Sequence, residues 1–259
     1  MGIAELLSLR DRVAVVTGAS RGLGAAFAAA LAEAGAHVVI TSRHAVELEA
    51  AAAAVRAHGR EALAVESDVT SENEVRVMVE RAVERFGRID ILVNNAAAER
   101  ANVPPEETSL ESWSMVMRTN VDGCFLCARE VGRVMIGQKR GRIINMASMS
   151  GQIINRYFHG GSYDVSKSAV VGLTRALAAE WAQHNITVNA LAPGYYGTAP
   201  NLRWFQSNPE IHAKVLDLIP LRRLGTIEEL AGLVVVLASD ICSYMTGSVI
   251  AIDGGYTLW

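Results

Sequence analysis

The chain has 259 residues, a net charge of −3 and a hydrophobic fraction of 51%. A chain of this length buries about three quarters of the surface that its unfolded form exposes, so it can build a substantial core. The small net charge, without a run of five like charges, gives no electrostatic footprint for nucleic acid or an anionic membrane. We therefore expect neither of these partners.

The amino-terminal segment lacks the basic and then apolar pattern of a secretory signal. The longest apolar run, at residues 230–238, is far shorter than the ~18 residues that a membrane span needs. We expect a cytoplasmic protein. Cys124 and Cys127 have the C-x-x-C spacing of redox dithiols and half metal sites. No second Cys or His pair has ligand spacing, so buried thiols in an apolar helix are favoured and no metal site is predicted.

Short apolar runs alternate with longer helical patterns along the chain. We predict strands at residues 12–17, 37–41, 61–67, 89–94, 142–147, 186–192 and 248–253. Most of these runs are continuously apolar, which indicates burial on both faces and therefore a parallel sheet covered by helices. The sequence predicts a single α/β domain, residues 1–259, with a doubly wound seven-stranded sheet and right-handed crossovers.

The helical patterns between the strands have recognisable ends. A helix over residues 23–35 ends near a glycine, as many helices do. Ser71 with Glu74, and Thr226 with Glu229, have the spacing of a capping box, in which each residue bonds the other's backbone amide. We expect helices to begin at both places.

A glycine turn follows the first predicted strand, with the sequence TGASRGLG at residues 17–24. Gly18, Gly22 and Gly24 let the backbone turn sharply and approach a pyrophosphate, whose charge the free amides of the next helix stabilise. A glycine turn can also be only structural. Its place between a first strand and a helix of small residues favours a dinucleotide site.

The end of the second strand bears on which dinucleotide binds. An NAD site commonly has an acidic residue there, whereas this chain has Ser42 and Arg43, and Glu47 falls in the following helix. Arg43 together with Arg21 could pair with the 2′-phosphate of NADP. We predict a preference for NADP(H), with NAD(H) as a second cofactor; the alternative is a pair of solvated surface arginines.

Tyr163 and Lys167 are four residues apart in a predicted helix, so both side chains lie on one face. In isolation this pair could be two exposed side chains. Free tyrosine has a pKa of about 10, so its use as an acid or base near neutral pH requires roughly 4 kcal/mol of stabilisation of the phenolate. A neighbouring ammonium favours that charged form. The spacing therefore allows an acid–base pair, whereas the stretch taken alone favours two exposed side chains, and the rest of the chain decides between them.

These motifs occur in a particular order along the chain. After the glycine turn come Asp68-Val69, the stretch NNAA at 94–97, Asn120, Ser148, and Tyr163 with Lys167, followed by APG at 192–194, Thr198 and IDGG at 252–255. With this order the chain resembles the short-chain dehydrogenase/reductase family over nearly its whole length. The resemblance implies a Rossmann-type sheet, a nicotinamide cofactor and commonly a homotetramer.

The resemblance also implies roles for single residues. Tyr163 is similar to the catalytic acid or base, Ser148 to its partner on the substrate oxygen, Lys167 to its activator and Asn120 to the organiser of a proton-relay water. The predicted cofactor-binding residues are Gly18, Ser20, Arg21, Gly22, Leu23, Gly24, Ser42, Arg43, Asp68, Val69, Asn94, Ala96, Tyr163, Lys167, Pro193, Gly194 and Thr198.

The chain departs from the family pattern in two places. Ala97 stands where glycine is most common, and its methyl group is expected to narrow the cofactor cleft slightly. The stretch from Ser148 to Tyr163 is longer than is common, so residues 151–161 are expected to bulge into the substrate pocket. Ser150 is then a rival for the serine role. Ser148 is preferred because it comes three residues before a glycine, as in the family.

The segment at residues 195–225 carries several aromatic side chains and is expected to be a substrate lid formed by a long loop, or else part of a subunit interface. Arg100, Asn155, Arg156 and Arg203 could add polar groups, and His159 could touch substrate. Similarity to 3-oxoacyl-carrier-protein reductases implies an NADPH-dependent ketoreductase acting on a small carbonyl or alcohol substrate. Similarity to gluconate 5-dehydrogenase-like members implies a sugar-acid or polyol dehydrogenase. A cofactor-binding regulator without catalysis is the third hypothesis, disfavoured because every proposed catalytic position is filled.

Overall fold

A computed structural model describes residues 2–99 and 102–259. Within this part of the chain, one all-parallel sheet has seven strands in the order β3-β2-β1-β4-β5-β6-β7. The strands are β1 (Val13–Thr17), β2 (His37–Ser42), β3 (Ala62–Glu66), β4 (Ile91–Asn94), β5 (Gly141–Met146), β6 (Ile186–Pro193) and β7 (Val249–Ile252). The predicted α/β fold with a doubly wound parallel sheet is confirmed, and strand ends differ from the prediction by one or two residues.

Helices cover both faces of this sheet. They are α1 (Ile3–Leu7), α2 (Gly22–Glu33), α3 (Ala45–Ala57), α4 (Glu72–Phe86), α5 (Leu110–Met117), α6 (Gly123–Gln138), α7 (Gly161–Trp181), α8 (Ala199–Ser207), α9 (Pro209–Leu218) and α10 (Ile227–Ala238). The apolar faces of α2, α3 and α10 pack on one side, and those of α4, α6 and α7 on the other. The sheet is therefore the middle of three layers.

The central strand β1 shows why its sequence is continuously apolar. Ala14 and Val16 belong to the cluster beneath α2 and α10, while Val13 and Val15 belong to the cluster beneath α4 and α6. Successive side chains point to opposite faces of a strand, and here both faces are buried. Burial of each valine stabilises the fold by about 1.5–3 kcal/mol.

The strand order places a crevice at the carboxyl end of β1. The chain runs outward from β1 to β3 and then returns to place β4 on the other side of β1. In open α/β sheets, ligands bind where the strand order reverses in this way. The loops that follow β1, β4, β5 and β6 all open on this edge.

Both predicted helix starts carry side-chain caps. At α10, Thr226 accepts from the backbone amide of Glu229, and the Glu229 carboxylate accepts from the amide of Thr226, which completes the capping box. At α4, Ser71 accepts from the amide of Glu74, but the Glu74 carboxylate accepts from the amide of Asp68 instead. The second capping box is therefore only half formed.

The segment at residues 195–225 differs from the expected long loop. Most of it folds into α8 and α9, whose apolar residues join a separate small cluster with Met149 and Tyr256. The sequence prediction missed these helices because the aromatic side chains that stabilise them pack against residues distant in the sequence.

No helix in residues 2–99 and 102–259 combines the length and the apolar character needed to cross a membrane.

Candidate active site

The glycine turn after β1 has the backbone geometry that only glycine adopts easily. Gly18 and Gly22 have φ angles of 62° and 58°, in the left-handed region. A Cβ on Gly24 would lie 2.3 Å from the carbonyl oxygen of Gly18, whereas a Cβ on Gly22 would meet nothing within 4 Å. The turn is therefore closed towards the protein and open above the amino end of α2. No side chain caps α2 there, so its first amides face this open space.

Asn95 holds this turn in place. Its side-chain amide donates to the carbonyl oxygens of Thr17 and Gly18, both at 3.0 Å. The Thr17 hydroxyl in turn accepts from the backbone amides of Asn95 and Ala96, also at 3.0 Å. These bonds tie the loop after β4 to the loop after β1. The sequence prediction did not single out Asn95, although its place in the NNAA stretch was a signal.

Asn94, which was predicted to line the cofactor, has its side chain in the protein interior. Its amide donates to Asn145 Oδ1 at 2.9 Å and to the carbonyl oxygen of Cys124 at 3.3 Å. Asn145 donates onward to the hydroxyl of Thr174 at 3.0 Å. These bonds join β4, β5, α6 and α7 beneath the site, which makes the observed contacts of Asn94 structural.

The two arginines that were predicted to meet a 2′-phosphate are exposed and already paired. Arg21 lies 3.4 Å from the carboxylate of Glu47, and Arg43 lies 3.7 Å from that of Asp68. Glu47 also accepts from the hydroxyl of Ser20 at 3.2 Å. Helix α3 therefore places the carboxylate of Glu47 next to the glycine turn. The sequence prediction placed Glu47 in this helix but missed that contact.

Tyr163 and Lys167 share one face of α7, as predicted. The Lys167 ammonium nitrogen lies 5.5 Å from the centre of the Tyr163 ring. Lys167 is only 4% exposed and donates to the carbonyl oxygen of Met146, at the end of β5, at 2.7 Å. The ammonium is thereby held in place beside the phenol. The alternative of an exposed pair is excluded by this burial.

The two candidate serines follow β5 and have different partners. The Ser148 oxygen accepts from the backbone amide of Ser150 at 3.1 Å. The Ser150 oxygen accepts from the side-chain amide of Asn155 at 2.6 Å, and Asn155 accepts from the hydroxyl of Tyr195 at 3.1 Å. The longer stretch before Tyr163 therefore contributes Asn155 to the wall of the cavity beside Tyr163.

Asn120 lies in a short π-helical segment, Arg118–Asp122, between α5 and α6. Its side-chain oxygen accepts from the amide of Ala98 at 2.7 Å, and its nitrogen donates to the Ser166 hydroxyl at 2.9 Å. Ser166 donates to the carbonyl oxygen of Tyr163 at 2.7 Å. Single π-helical turns are frequent at functional sites. Asn120 is thus connected to α7 through Ser166, a residue that the sequence prediction did not name.

A cavity of about 500 Å³ lies beside the Tyr163–Lys167 pair and the two serines. Of the residues predicted for catalysis or cofactor binding, those that line it are Leu23, Ser148, Tyr163, Lys167, Pro193, Gly194 and Thr198. The other predicted residues lie outside its lining: Gly18, Ser20, Arg21, Gly22, Gly24, Ser42, Arg43, Asp68, Val69, Asn94, Ala96 and Asn120. Ala97 and Asn155 line the cavity, His159, Arg156 and Arg203 do not, and Arg100 lies outside the described residues.

The Cys124 and Cys127 pair does not resemble a redox site. Both are buried free thiols in α6, and burial raises the pKa of Cys124 to about 12 and that of Cys127 further still. Thiols of this kind remain protonated and inert near neutral pH. The described part of the chain also has no group of three His, Cys, Asp or Glu side chains positioned to hold a metal.

Comparison with known proteins adds a family to this geometry. Residues 18–257 match the family model described as enoyl-(acyl carrier protein) reductase. A galactitol 2-dehydrogenase (L-tagatose-forming) from Cereibacter sphaeroides is 42% identical over 259 residues, covering 100% of both chains. A 3-oxoacyl-[acyl-carrier-protein] reductase from Synechocystis is 38% identical over 257 residues, covering 98% of this chain and 100% of its own.

A solved structure extends this similarity to the fold. The crystal structure of a gluconate 5-dehydrogenase from Burkholderia cenocepacia, in complex with NADP and tartrate, superposes with a TM-score of 0.93 and 33% identity over 100% of both chains. This chain shares more than 30% identity with each of these proteins over at least 98% of its length. It also has the expected sheet, glycine turn and Tyr–Lys pair. The relatives named above are dehydrogenases or reductases of alcohol or keto groups. The chain belongs to the short-chain dehydrogenase/reductase family of oxidoreductases.

Proposed function

We propose that this protein interconverts a secondary alcohol and a ketone with NADP(H) as its preferred cofactor. One observation carries the proposal: the buried Lys167 ammonium lies 5.5 Å from the Tyr163 ring, in the wall of a cavity that Ser148 also lines. Burial of a charged group costs free energy unless the group is paired. A cofactor-binding regulator without catalysis would gain nothing in return for burying an ammonium beside a phenol.

The glycine turn fits the diphosphate of a dinucleotide. The space above Gly22 is open, and the first amides of α2 face it without a capping side chain. Leu23, Gly194 and Thr198 line the cavity that continues from there to Tyr163 and Lys167. We assign to these residues the cofactor, whose nicotinamide supplies the hydride acceptor or donor when bound.

The chain's own residues then manage the proton on the substrate oxygen. Ser148 accepts from the amide of Ser150, which leaves its hydroxyl proton to donate to that oxygen. Tyr163 takes or gives the proton, and the ammonium of Lys167 stabilises the phenolate. Asn120, fixed by Ala98 and Ser166, organises the relay by which the proton reaches solvent.

The preference for NADP(H) is supported by the residues after β2. No carboxylate follows this strand directly, and Ser42, Arg43 and Arg21 lie where a 2′-phosphate would be recognised. Both arginines form ion pairs at the surface, which contribute little free energy. Arg21 and Arg43 can therefore leave Glu47 and Asp68 for a phosphate at little cost in free energy. NAD(H), which lacks this phosphate, is expected to bind more weakly but still to bind.

Two substrate classes remain as candidates. A general ketoreductase of the 3-oxoacyl type is supported by the aromatic walls of the cavity, from Phe158, Tyr195 and Trp204. A sugar-acid or polyol dehydrogenase is supported by the polar groups on the same walls, including Asn102 and Asn201. In both cases α8, supported by α9, acts as the substrate lid, since residues of α8 line the cavity and both helices join one apolar cluster.

We also propose a cytoplasmic homotetramer. Large apolar side chains are exposed at two separate places: Leu110, Phe125 and Val165 on α5 to α7, and Tyr244 with Trp259 towards the carboxyl end. Two such surfaces suit a subunit with two kinds of interface. Light scattering would measure the number of subunits.

Tyr163→Phe tests the proposed function. We expect loss of at least about 1,000-fold in kcat on every ketone of a panel that includes simple ketones, hydroxyketones, keto acids and β-ketoacyl thioesters, because the proton has no donor. The dissociation constants of NADPH and NADH should change little, with NADPH the tighter. Tyr244→Phe is the control, because it removes the same hydroxyl outside the cavity lining and keeps the apolar ring at the proposed interface. A Tyr163→Phe enzyme with most of its activity, or a wild type inactive on the whole panel, would contradict the proposal.

A further inference from the structure

A serine inside α7 connects two residues that the proposed function uses, Asn120 and Tyr163. The Ser166 hydroxyl donates to the carbonyl oxygen of Tyr163 at 2.7 Å and accepts from the side-chain nitrogen of Asn120 at 2.9 Å. Ser166 is 0% exposed and Asn120 is 2% exposed, so bulk water does not compete for either bond. The two residues meet because the π-helical segment that contains Asn120 packs against α7.

The single hydroxyl proton of Ser166 determines how the Asn120 amide is oriented. Because this proton lies on the bond to Tyr163, Ser166 presents oxygen lone pairs to Asn120, and these require an N–H donor. The Asn120 nitrogen therefore points to Ser166, and its oxygen accepts from the backbone amide of Ala98 at 2.7 Å. In the described part of the chain, the other acceptor of this nitrogen is the Ala98 carbonyl oxygen, at 3.5 Å. Ser166 thus makes the shorter of the two bonds that hold the nitrogen.

Helix stability alone does not favour a serine at this position. Serine has a lower helix propensity than alanine because its hydroxyl competes for backbone groups, and here it bonds the carbonyl oxygen three residues earlier. A buried hydroxyl also gives up its hydrogen bonds to water and needs partners inside the protein. Alanine at position 166 would avoid both costs. The hydroxyl is therefore explained by what it holds, which is Asn120.

Thr174, about two turns further along α7, makes the same kind of bond away from the catalytic residues. It is also 0% exposed, donates to the carbonyl oxygen of Val170 at 2.8 Å and accepts from the side-chain amide of Asn145 at 3.0 Å. Neither Thr174 nor Asn145 lines the cavity. The two hydroxyls therefore differ in their partner: Thr174 holds a residue of β5, whereas Ser166 holds Asn120.

We propose that Ser166 is a positioning residue for proton transfer, which orients Asn120 and ties it to the backbone of Tyr163. The inference rests on the proposed function, in which a ketone receives a hydride at its carbon and a proton from Tyr163 at its oxygen. Tyr163 is then reprotonated from solvent through the relay that Asn120 organises, and this step needs Asn120 in one orientation. Ser166 does not line the cavity, so it acts through Asn120.

The test compares Ser166→Ala with Thr174→Val on the ketone of the panel that the wild type reduces fastest. Ser166→Ala should lower kcat about 10-fold, with KM and the dissociation constant of NADPH within about 2-fold of the wild type. The solvent deuterium isotope effect on kcat should exceed that of the wild type, because reprotonation becomes slower. Imidazole, added as a small proton donor, should restore part of kcat. Thr174→Val should lower Tm and keep the isotope effect of the wild type.

Two further measurements separate positioning from a general loosening of the fold. The double variant Ser166→Ala with Asn120→Ala should be no slower than Asn120→Ala alone, since Ser166 acts through Asn120. Amide hydrogen exchange of the cofactor-free protein should be faster at residues 118–122 in Ser166→Ala than in Thr174→Val.

A Ser166→Ala enzyme with the kcat of the wild type would overturn the inference, while an inactive Tyr163→Phe enzyme would leave the proposed function intact. A lower kcat with an unchanged isotope effect and no response to imidazole would also overturn it, because the role of Ser166 would then be structural. Additive losses in the double variant would have the same meaning. A wild type inactive on the whole panel, or a Tyr163→Phe enzyme with most of its activity, would overturn the proposed function and the inference together.

Discussion

The two ends of the proposed cofactor site are built differently. At the catalytic end, Asn120, Ser148 and Lys167 are at most 9% exposed and are held by hydrogen bonds to backbone and side chains. At the adenosine end, Arg21 and Arg43 have side chains 72% and 64% exposed and form ion pairs with Glu47 and Asp68. Buried hydrogen bonds fix a geometry, because leaving a buried polar group unpaired is costly. Exposed ion pairs contribute about 0–1 kcal/mol and can exchange partners.

The difference in burial between the two ends matches two different requirements of the enzyme, proton transfer and cofactor recognition. Proton transfer depends on sub-ångström placement of a few atoms, which buried side chains provide. Recognition of a 2′-phosphate depends mainly on charge, which flexible exposed side chains provide without rigid placement. We therefore expect substitutions at the catalytic end to abolish turnover and those at the adenosine end to change the ratio of cofactor affinities.

The largest effect is expected for Lys167→Met, which keeps most of the side-chain volume but removes the buried charge. We expect kcat to fall about 100- to 10,000-fold, the range associated with loss of acid–base catalysis. The comparison is Lys214→Met, whose ammonium lies 6.0 Å from the Tyr157 ring on the exposed side of α9. Steady-state kinetics on a folded variant, verified by circular dichroism, gives the result. Equal activity of the two variants would show that burial of the ammonium is not what matters.

An intermediate effect is expected for Glu47→Gln at the adenosine end. Removing this carboxylate frees Arg21 and takes away a charge that would repel the 2′-phosphate, so NADPH should bind about 3- to 10-fold tighter while NADH changes less. Fluorescence titration of both cofactors measures this, and the gain should shrink at high salt. Glu49→Gln, on the same helix but paired with Arg56, should leave the ratio unchanged. Weaker NADPH binding would mean that Glu47 supports the site instead of competing for it.

The smallest effect is expected far from both ends, for Glu229→Gln at the start of α10. Bonds from Arg223 and from the amide of Thr226 lower the pKa of Glu229 to about 2, from an ordinary value of 4.5. A carboxyl group with a lowered pKa stabilises the fold above its ordinary value, and this contribution is lost as the pH falls towards the lowered value. We expect a decrease in Tm of about 1–3 °C near neutral pH.

The difference in Tm between wild type and Glu229→Gln should narrow as the pH falls from about 4.5 towards 2. Glu228→Gln removes a neighbouring carboxylate that is outside the capping box and is the control. Activity should not change in either variant. A pH-independent difference in Tm would contradict the assignment to the charge of Glu229.

The strands were predictable because a buried parallel strand needs a continuous apolar run, and most of β1 to β7 have one. Tyr163 and Lys167 were predictable for a similar reason, since one helical turn separates them. The contact of Glu47 with Ser20 was not, because it joins residues 27 positions apart whose approach depends on how α3 packs. The same holds for Asn155 and Tyr195, which are 40 positions apart.

The sequence by itself determined the three-layer α/β fold, the glycine turn and the phenol–ammonium pair, because these depend on local spacing and on the succession of short apolar runs and helical patterns. Only the tertiary structure decided that Asn95 holds the glycine turn, that Asn155 donates to Ser150, and that most of residues 195–225 folds into two helices. Each of these features depends on side chains from distant segments meeting once the sheet and its helices have packed, and that packing is a property of the whole fold.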